Sequence, residues 1–280
     1  MVKEITITCM SEFFEFLKSI QYFEESIERH WCNYYFRGIK DVNYSLATSL
    51  HRNAKGYEEK PEKRILIHFE KFAQFYKPAV TNSVWETLVF AQHYGAPTRL
   101  LDWTKSPLTA LHFATEHIDT RAKIGDACVW AINNHQLNDL LPSKYRQNMA
   151  ANFSTVCTMN ELRSSCTSLQ EYEEDMDGQG FLIFEPDSID ERIVAQSSLF
   201  AIIPRKLDPL DDYLRETRED TLTAYKLIFP KESLHKIRDD LDMLGISERL
   251  LYPGLEGIAK MLKRLYYHRP NDAASSENCF

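Results

Sequence analysis

Apolar residues recur at helical spacing near the start of the chain. Phe13, Phe14, Leu17, Ile20 and Phe23 share one side of a helix, so residues 11–27 are predicted helical, with Ser11 as the cap. Residues 31–37 differ: they are dense in aromatics and stop at Gly38, which reads as a core strand ending at a turn. Residues 44–50 read as a further short extended stretch. Ile65, Phe69 and Phe72 mark the apolar side of a helix over 57–76. A second helix over 83–94 ends where Gly95 can take a left-handed cap and Pro97 prevents continuation. Residues 98–102 read as extended. Ser106 followed by Pro107 then marks a helix start, with Leu108, Leu111, Phe113 and Ala114 on the new helix.

In the second half, Gly125-Asp126 reads as a turn before a strand over 127–132. Residues 148–180 are polar and contain the acidic run 171–177; they read as an insertion or loop, or in part as a solvated helix. Short strands are predicted at 181–184, 193–195, 199–203 and 225–229, and helices at 231–244, ending at Gly245, and at 255–267. The expected organisation is an N-terminal helical segment at 1–30, one domain over 31–268 and a disordered tail at 269–280. Strands in two separated groups with helices between them indicate α+β rather than a regular βαβ alternation.

Composition narrows the function classes. The 280 residues are 44% hydrophobic and 26% charged, which is ordinary for a globular chain. Nine glycines argue against a dinucleotide fold with several Gly-rich turns. The net charge of −8 disfavours broad attraction to nucleic acid, although Arg37, Arg52, Lys55 and Arg99 could still gather into a local basic cleft. The six cysteines have no CxxC pair, which excludes a zinc knuckle and fits reduced thiols in the cytosol. No secretory leader or membrane span is expected, so a cytoplasmic location is. A Gly-rich phosphate loop, HExxH and GxSxG are all absent, and His112 and His117 lie in no metal-ligand pattern.

Three segments stand out together: Tyr35-Phe36-Arg37-Gly38; the run from Ala91-Gln92-His93-Tyr94-Gly95 through Thr98-Arg99-Leu100-Leu101-Asp102-Trp103-Thr104-Lys105-Ser106-Pro107 to Ala114; and Asp190-Glu191-Arg192-Ile193-Val194-Ala195-Gln196-Ser197-Ser198-Leu199-Phe200. In this order they resemble the FRG-domain family, named for its Phe-Arg-Gly motif. Gly254 and its neighbours also look like the C-terminal end of such proteins. Two positions depart from the family pattern. Thr48 stands where a proline is usual, and Ser198 where a glycine is common.

The motif order is similar to that of ADP-ribosyltransferases. The resemblance therefore implies a split β-sheet core with flanking helices and NAD as substrate for transfer to an unknown acceptor. It also implies a place in bacterial defence, as a toxin or antiviral effector, with an inhibitor protein as a partner if the chain is toxic. By the same resemblance Arg37, His93 and Gln196 are the catalytic candidates, and Arg37, Tyr94, Thr104 and Ser106 the cofactor-binding ones; no metal is implied. The residue types fit these roles. Guanidinium forks onto phosphate, hydroxyls at a helix start can help hold an anion, and an imidazole can act in acid/base chemistry. Each has a plainer reading: Arg37 paired with Asp102 or another carboxylate, Ser106 capping its helix, Tyr94 and Trp103 packed as core aromatics, and His93 simply hydrogen-bonded. Gln196 carries no charge where a transferase commonly has a carboxylate, which leaves Asp102, Asp190 and Glu191 as alternatives. It also keeps open a non-catalytic module that binds a nucleotide or a protein.

Overall fold

A computed structural model describes residues 2–53, 59–76, 83–116, 118, 125–188 and 190–266. Lys55, His117, Cys279 and the expected tail lie outside the described residues. The chain runs β1 (Val2–Thr6), α1 (Met10–Ser19), β2 (Gln21–Glu24), β3 (Arg29–Cys32), β4 (Tyr34–Ile39), α2 (Ser49–Asn53), α3 (Glu59–Ala73), α4 (Val84–His93), β5 (Leu100–Thr104) and α5 (Pro107–Thr115). It continues through β6 (Ala127–Asn133), α6 (Asn134–Asp139), α7 (Ser143–Ala151), β7 (Cys157–Thr158), α8 (Met159–Ser165), α9 (Leu169–Met176), β8 (Leu182–Glu185) and α10 (Glu191–Ala195). It ends with β9 (Ser198–Ile202), α11 (Leu210–Glu216), β10 (Ala224–Phe229), α12 (Lys231–Met243), α13 (Glu248–Leu251) and α14 (Leu255–Tyr266). No helix among the described residues is long and apolar enough to cross a membrane.

Eight strands form one mixed sheet in the order β1-β10-β6-β4-β5-β9-β8-β7. The outermost pairs, β1 with β10 and β7 with β8, are parallel and the inner ones antiparallel. The arrangement is α+β. In its middle, β4 and β5 pair through one residue couple, Phe36 with Thr104, and then diverge. Two half-sheets are thus joined at a seam.

The two faces of the sheet are covered differently. On one face Tyr35, Trp130, Trp103, Ile183 and Ala201 belong to one core that crosses the seam. On the other face the core is divided. Phe36, Val129 and Leu227 pack under α1, α5 and α12, while Leu100, Leu182 and Phe200 pack under α4 and α7 to α9. Alternation sends successive side chains to opposite faces, so Leu100, Asp102 and Thr104 all point to the divided face. Asp102 is exposed there, where an apolar residue would have closed the core.

Gly38 lies inside β4, opposite Val129, and does not begin a turn. A Cβ on it would fall 1.8 Å from the Ala110 carbonyl oxygen, so glycine is what lets α5 lie against β4. Ser106 caps α5 by accepting from the Thr109 N–H at 3.2 Å, as its sequence indicates. Ser83 does the same for α4, and Gly95 takes φ +82° beyond that helix.

Other expectations are corrected. The first helix starts at Met10, with Cys9 rather than Ser11 at the cap, and ends at Ser19; Phe23 lies on β2 and is exposed. The N-terminal residues are more than a helix, since β1 is an edge strand of the main sheet. Residues 31–37 are split at Asn33. Trp31 sits exposed on a separate hairpin and Tyr34 onward enters the main sheet. Residues 44–48 form no strand and α2 starts at Ser49. Phe72 is exposed, and Leu66 packs in its stead. Residues 193–195 are helical, because Asp190 caps α10 by accepting from the Arg192 N–H at 2.7 Å. The polar segment 148–180 holds α8 and α9, and Leu162, Tyr172 and Met176 are buried in the divided core.

Thr48, one of the two departures from the resembled pattern, donates its N–H at 3.1 Å and its hydroxyl at 2.5 Å to the buried Asp208 carboxylate. Proline has neither donor. Burial pushes the Asp208 carboxyl up, and the two Thr48 donors oppose that.

Candidate functional site

Where the core is divided, a cleft of about 450 Å³ opens, within the usual range for small-molecule sites, roughly 300–1,000 Å³. Its floor is Phe36 to Gly38 and Asp102 to Thr104. One wall is the end of α4, and the other comes from α10, the start of β9 and Tyr252.

Arg37 is the central cation. Its Nη1 donates to the Asp102 carbonyl oxygen and lies 3.7 Å from the Asp102 carboxylate, which spans the seam. Its Nε is buried and has no partner among the described residues. Burial pushes the guanidinium below its usual value, and Asp102 opposes this. The pairing reading therefore holds in part. Arg37 does meet Asp102, yet a 3.7 Å approach to a carboxylate that is 60% exposed leaves donor capacity unspent.

Asp102 is held in place by Gln92, whose Nε2 donates to the carboxylate oxygens at 3.1 and 3.3 Å. The Gln92 Oε1 in turn accepts from the Thr98 hydroxyl at 2.5 Å. His93, next along α4, lines the cleft with its Nε2 3.4 Å from an Asp190 carboxylate oxygen. Tyr94 meets the His93 ring edge-on at 5.0 Å but is 63% exposed and lies outside the cleft lining.

Thr104 is buried, and its hydroxyl is committed: it donates to the Gln196 carbonyl at 2.7 Å and accepts from the Ser106 N–H at 3.0 Å. The hydroxyl thus ties the floor to the third segment, and Ser106 stays a helix cap outside the lining. The Gln196 side-chain amide donates to the Leu251 carbonyl at 2.9 Å. Ser198 lines the cleft in β geometry opposite Thr104, and the left-handed residue is its neighbour Ser197, at φ +47°.

Arg192 and Tyr252 also line the cleft, and sequence reading named no role for either. The Arg192 guanidinium lies 4.8 Å over the Tyr252 ring, and the Lys260 ammonium lies 3.4 Å from the same ring's centroid. Burial pushes the Tyr252 phenol up, with the Glu116 charge adding to the effect. The nearest sequence signal was the position of Arg192 inside the third segment.

Arg99 does not join the local basic cleft that the sequence left open. Arg99 is fully buried, with Nε donating to Glu62 at 2.6 Å and Nη1 paired to Glu173. His112 is buried too, 2.7 Å from Nη2 of Arg238, whose guanidinium pairs with Glu248; this joins α5 to α12 and α13. Cys166, Glu171 and Asp175 place three potential metal-ligand atoms within 4.8 Å of one another. The Lys144 ammonium already bridges the two carboxylates, at 2.8 and 2.6 Å.

The sequence-nominated Arg37, His93, Thr104 and Gln196 therefore meet in one cleft, while Tyr94 and Ser106 stay outside its lining. Residues 32–123 match the family model of the FRG domain. No curated protein and no solved structure matches the chain.

Proposed function

Because the chain carries an FRG domain whose marker residues meet at the seam of a split sheet, we propose that the cleft binds NAD and that the protein is an ADP-ribosyltransferase-like enzyme. The observation that carries this reading is Arg37. Arg37 lines a cleft of nucleotide-compatible size, and its guanidinium meets the Asp102 carboxylate only at 3.7 Å. The split between β4 and β5 supports an ADP-ribosyltransferase-like fold.

In the proposed reaction the bond between nicotinamide nitrogen and the ribose anomeric carbon breaks, and its electron pair leaves with nicotinamide. The acceptor's lone pair bonds to that carbon, and the acceptor proton passes to a base. The transition state is oxocarbenium-like, as in glycoside hydrolysis. Arg37 would hold phosphate. The Asp102 carboxylate, fixed by Gln92, is the negative charge on the floor that can face the cationic ribose. His93, aligned by Asp190, is the candidate base.

Gln196 favours a second reading. Its amide is spent on Leu251 and it has no charge for the sugar, so the same cleft would serve a module that binds a nucleotide without consuming it. Nicotinamide release from NAD, with and without cell lysate as acceptor source, separates the two. Release by the native chain, lost in a folded Arg37→Ala variant, supports transfer. Binding without release supports the module.

A further inference from the structure

The cleft holds a second cation whose placement calls for a ligand. Arg192 has no carboxylate within ion-pair distance among the described residues, although it sits in a chain with net charge −8. The nearby carboxylate on its own helix, Asp190, is turned elsewhere. One Asp190 oxygen accepts from the Arg192 N–H at 2.7 Å, and the other lies 3.4 Å from Nε2 of His93.

Arg192 is also fixed before any ligand arrives. Its N–H is bound by the Asp190 cap, and its carbonyl accepts from the Gln196 N–H at 3.0 Å. Its guanidinium rests 4.8 Å over Tyr252, which is only 4% exposed. A guanidinium lying over an aromatic ring keeps its edge donors free. Arg37 lines the floor of the same cleft, and its Nη1 approaches the Asp102 carboxylate only to 3.7 Å.

We propose that Arg37 and Arg192 form a two-guanidinium site for the diphosphate of a nucleotide, with Arg192 rather than Arg37 alone making the site select two phosphates over one. This rests on the NAD reading's cleft but requires binding only, with no turnover. Tyr252 acts here as a positioning residue, supplied from beyond the matched residues 32–123.

The test is calorimetric titration of the full chain with ADP, AMP and inorganic pyrophosphate at fixed ionic strength. ADP and pyrophosphate are expected to bind, with AMP weaker by about tenfold or more, the value of one charge-assisted contact. Arg192→Gln should bring ADP down to the AMP level with its melting temperature unchanged, and Arg192→Lys should restore part of the difference. Equal affinity for ADP and AMP in the native chain, or no binding of either, overturns the proposal. So does an Arg192→Gln variant that keeps full ADP preference. Loss of ADP preference in Arg192→Gln, in a chain that releases no nicotinamide, supports the diphosphate site and discards the transfer reading. Nicotinamide release that is indifferent to Arg192→Gln retains transfer and overturns the site.

Discussion

The side-chain amide of Gln196 donates to the carbonyl oxygen of Leu251 across 2.9 Å, and through this contact the third marker segment holds the C-terminal helices against the cleft. Glutamine here is not an interchangeable stand-in for glutamate. A carboxylate would set a negative charge against a carbonyl oxygen and leave that acceptor unmet. Gln196→Glu is therefore expected to destabilise the fold by about 1–3 kcal/mol, read from the urea midpoint. A midpoint at or above that of the native chain would show that the amide is not needed there.

Gly38 predicts a sharper effect. Its added methyl would sit 1.8 Å from the Ala110 carbonyl oxygen, and both neighbours are backbone. Helix α5 must move off β4, at a cost of about 1–3 kcal/mol or more. Gly38→Ala should lower the melting temperature and, because α5 shapes the cleft, weaken ADP binding as well. Unchanged melting would refute the close approach.

The fully buried Arg99 joins the buried Glu62 of α3 to the partly exposed Glu173 of α9. Removing the guanidinium strands the buried Glu62 carboxylate, while Glu173 keeps Arg205, so Arg99→Ala should cost about 3–5 kcal/mol. Adding Glu62→Gln and Glu173→Gln to that variant should recover much of the loss. A mild effect of the single change would mean that water reaches the pair.

The acid side of the stability profile should carry the mark of Glu171. Its hydrogen bond to Lys144, then those from Thr167, hold the carboxyl at about 2 against a usual 4.5. The folded value lies below the unfolded one, so this pair stabilises the fold fully above about 4.5 and ceases to do so as pH falls toward about 2. The melting-temperature gap between the native chain and Glu171→Gln should close over that window. A gap of constant size from neutral to acid would sink the assignment.

Local chemistry was legible in the sequence. The cap at Ser106 and the turn glycines Gly95 and Gly245 act on their immediate neighbours, and they lie where the sequence places them. What depends on distant partners was not. The strand Val2–Thr6 exists because β10 lies beside it. Phe23 fell on the helical period but belongs to a hairpin paired with residues 29–32. Ile193 and Val194 read as strand by their branching, until the Asp190 cap turned them into helix. The polar average of residues 148–180 hid well-spaced core positions at Met159, Leu162, Tyr172 and Met176. In the cleft, motif order was enough for Arg37, His93, Thr104 and Gln196. Arg192 over Tyr252 joins residues far apart in the chain, and no local pattern announces such a contact.

The seam between Phe36 and Thr104 bears on how such a chain can diverge. The matched stretch 32–123 contains β4, β5 and α5, the two lips of the seam and the helix laid on one of them. Strands β6 to β10, β1 and β2, α1 and the helices beyond α5 lie outside it. What is recognisable as a shared signature is thus the opening itself, and the outer flanks can drift in sequence so long as they go on holding its edges apart.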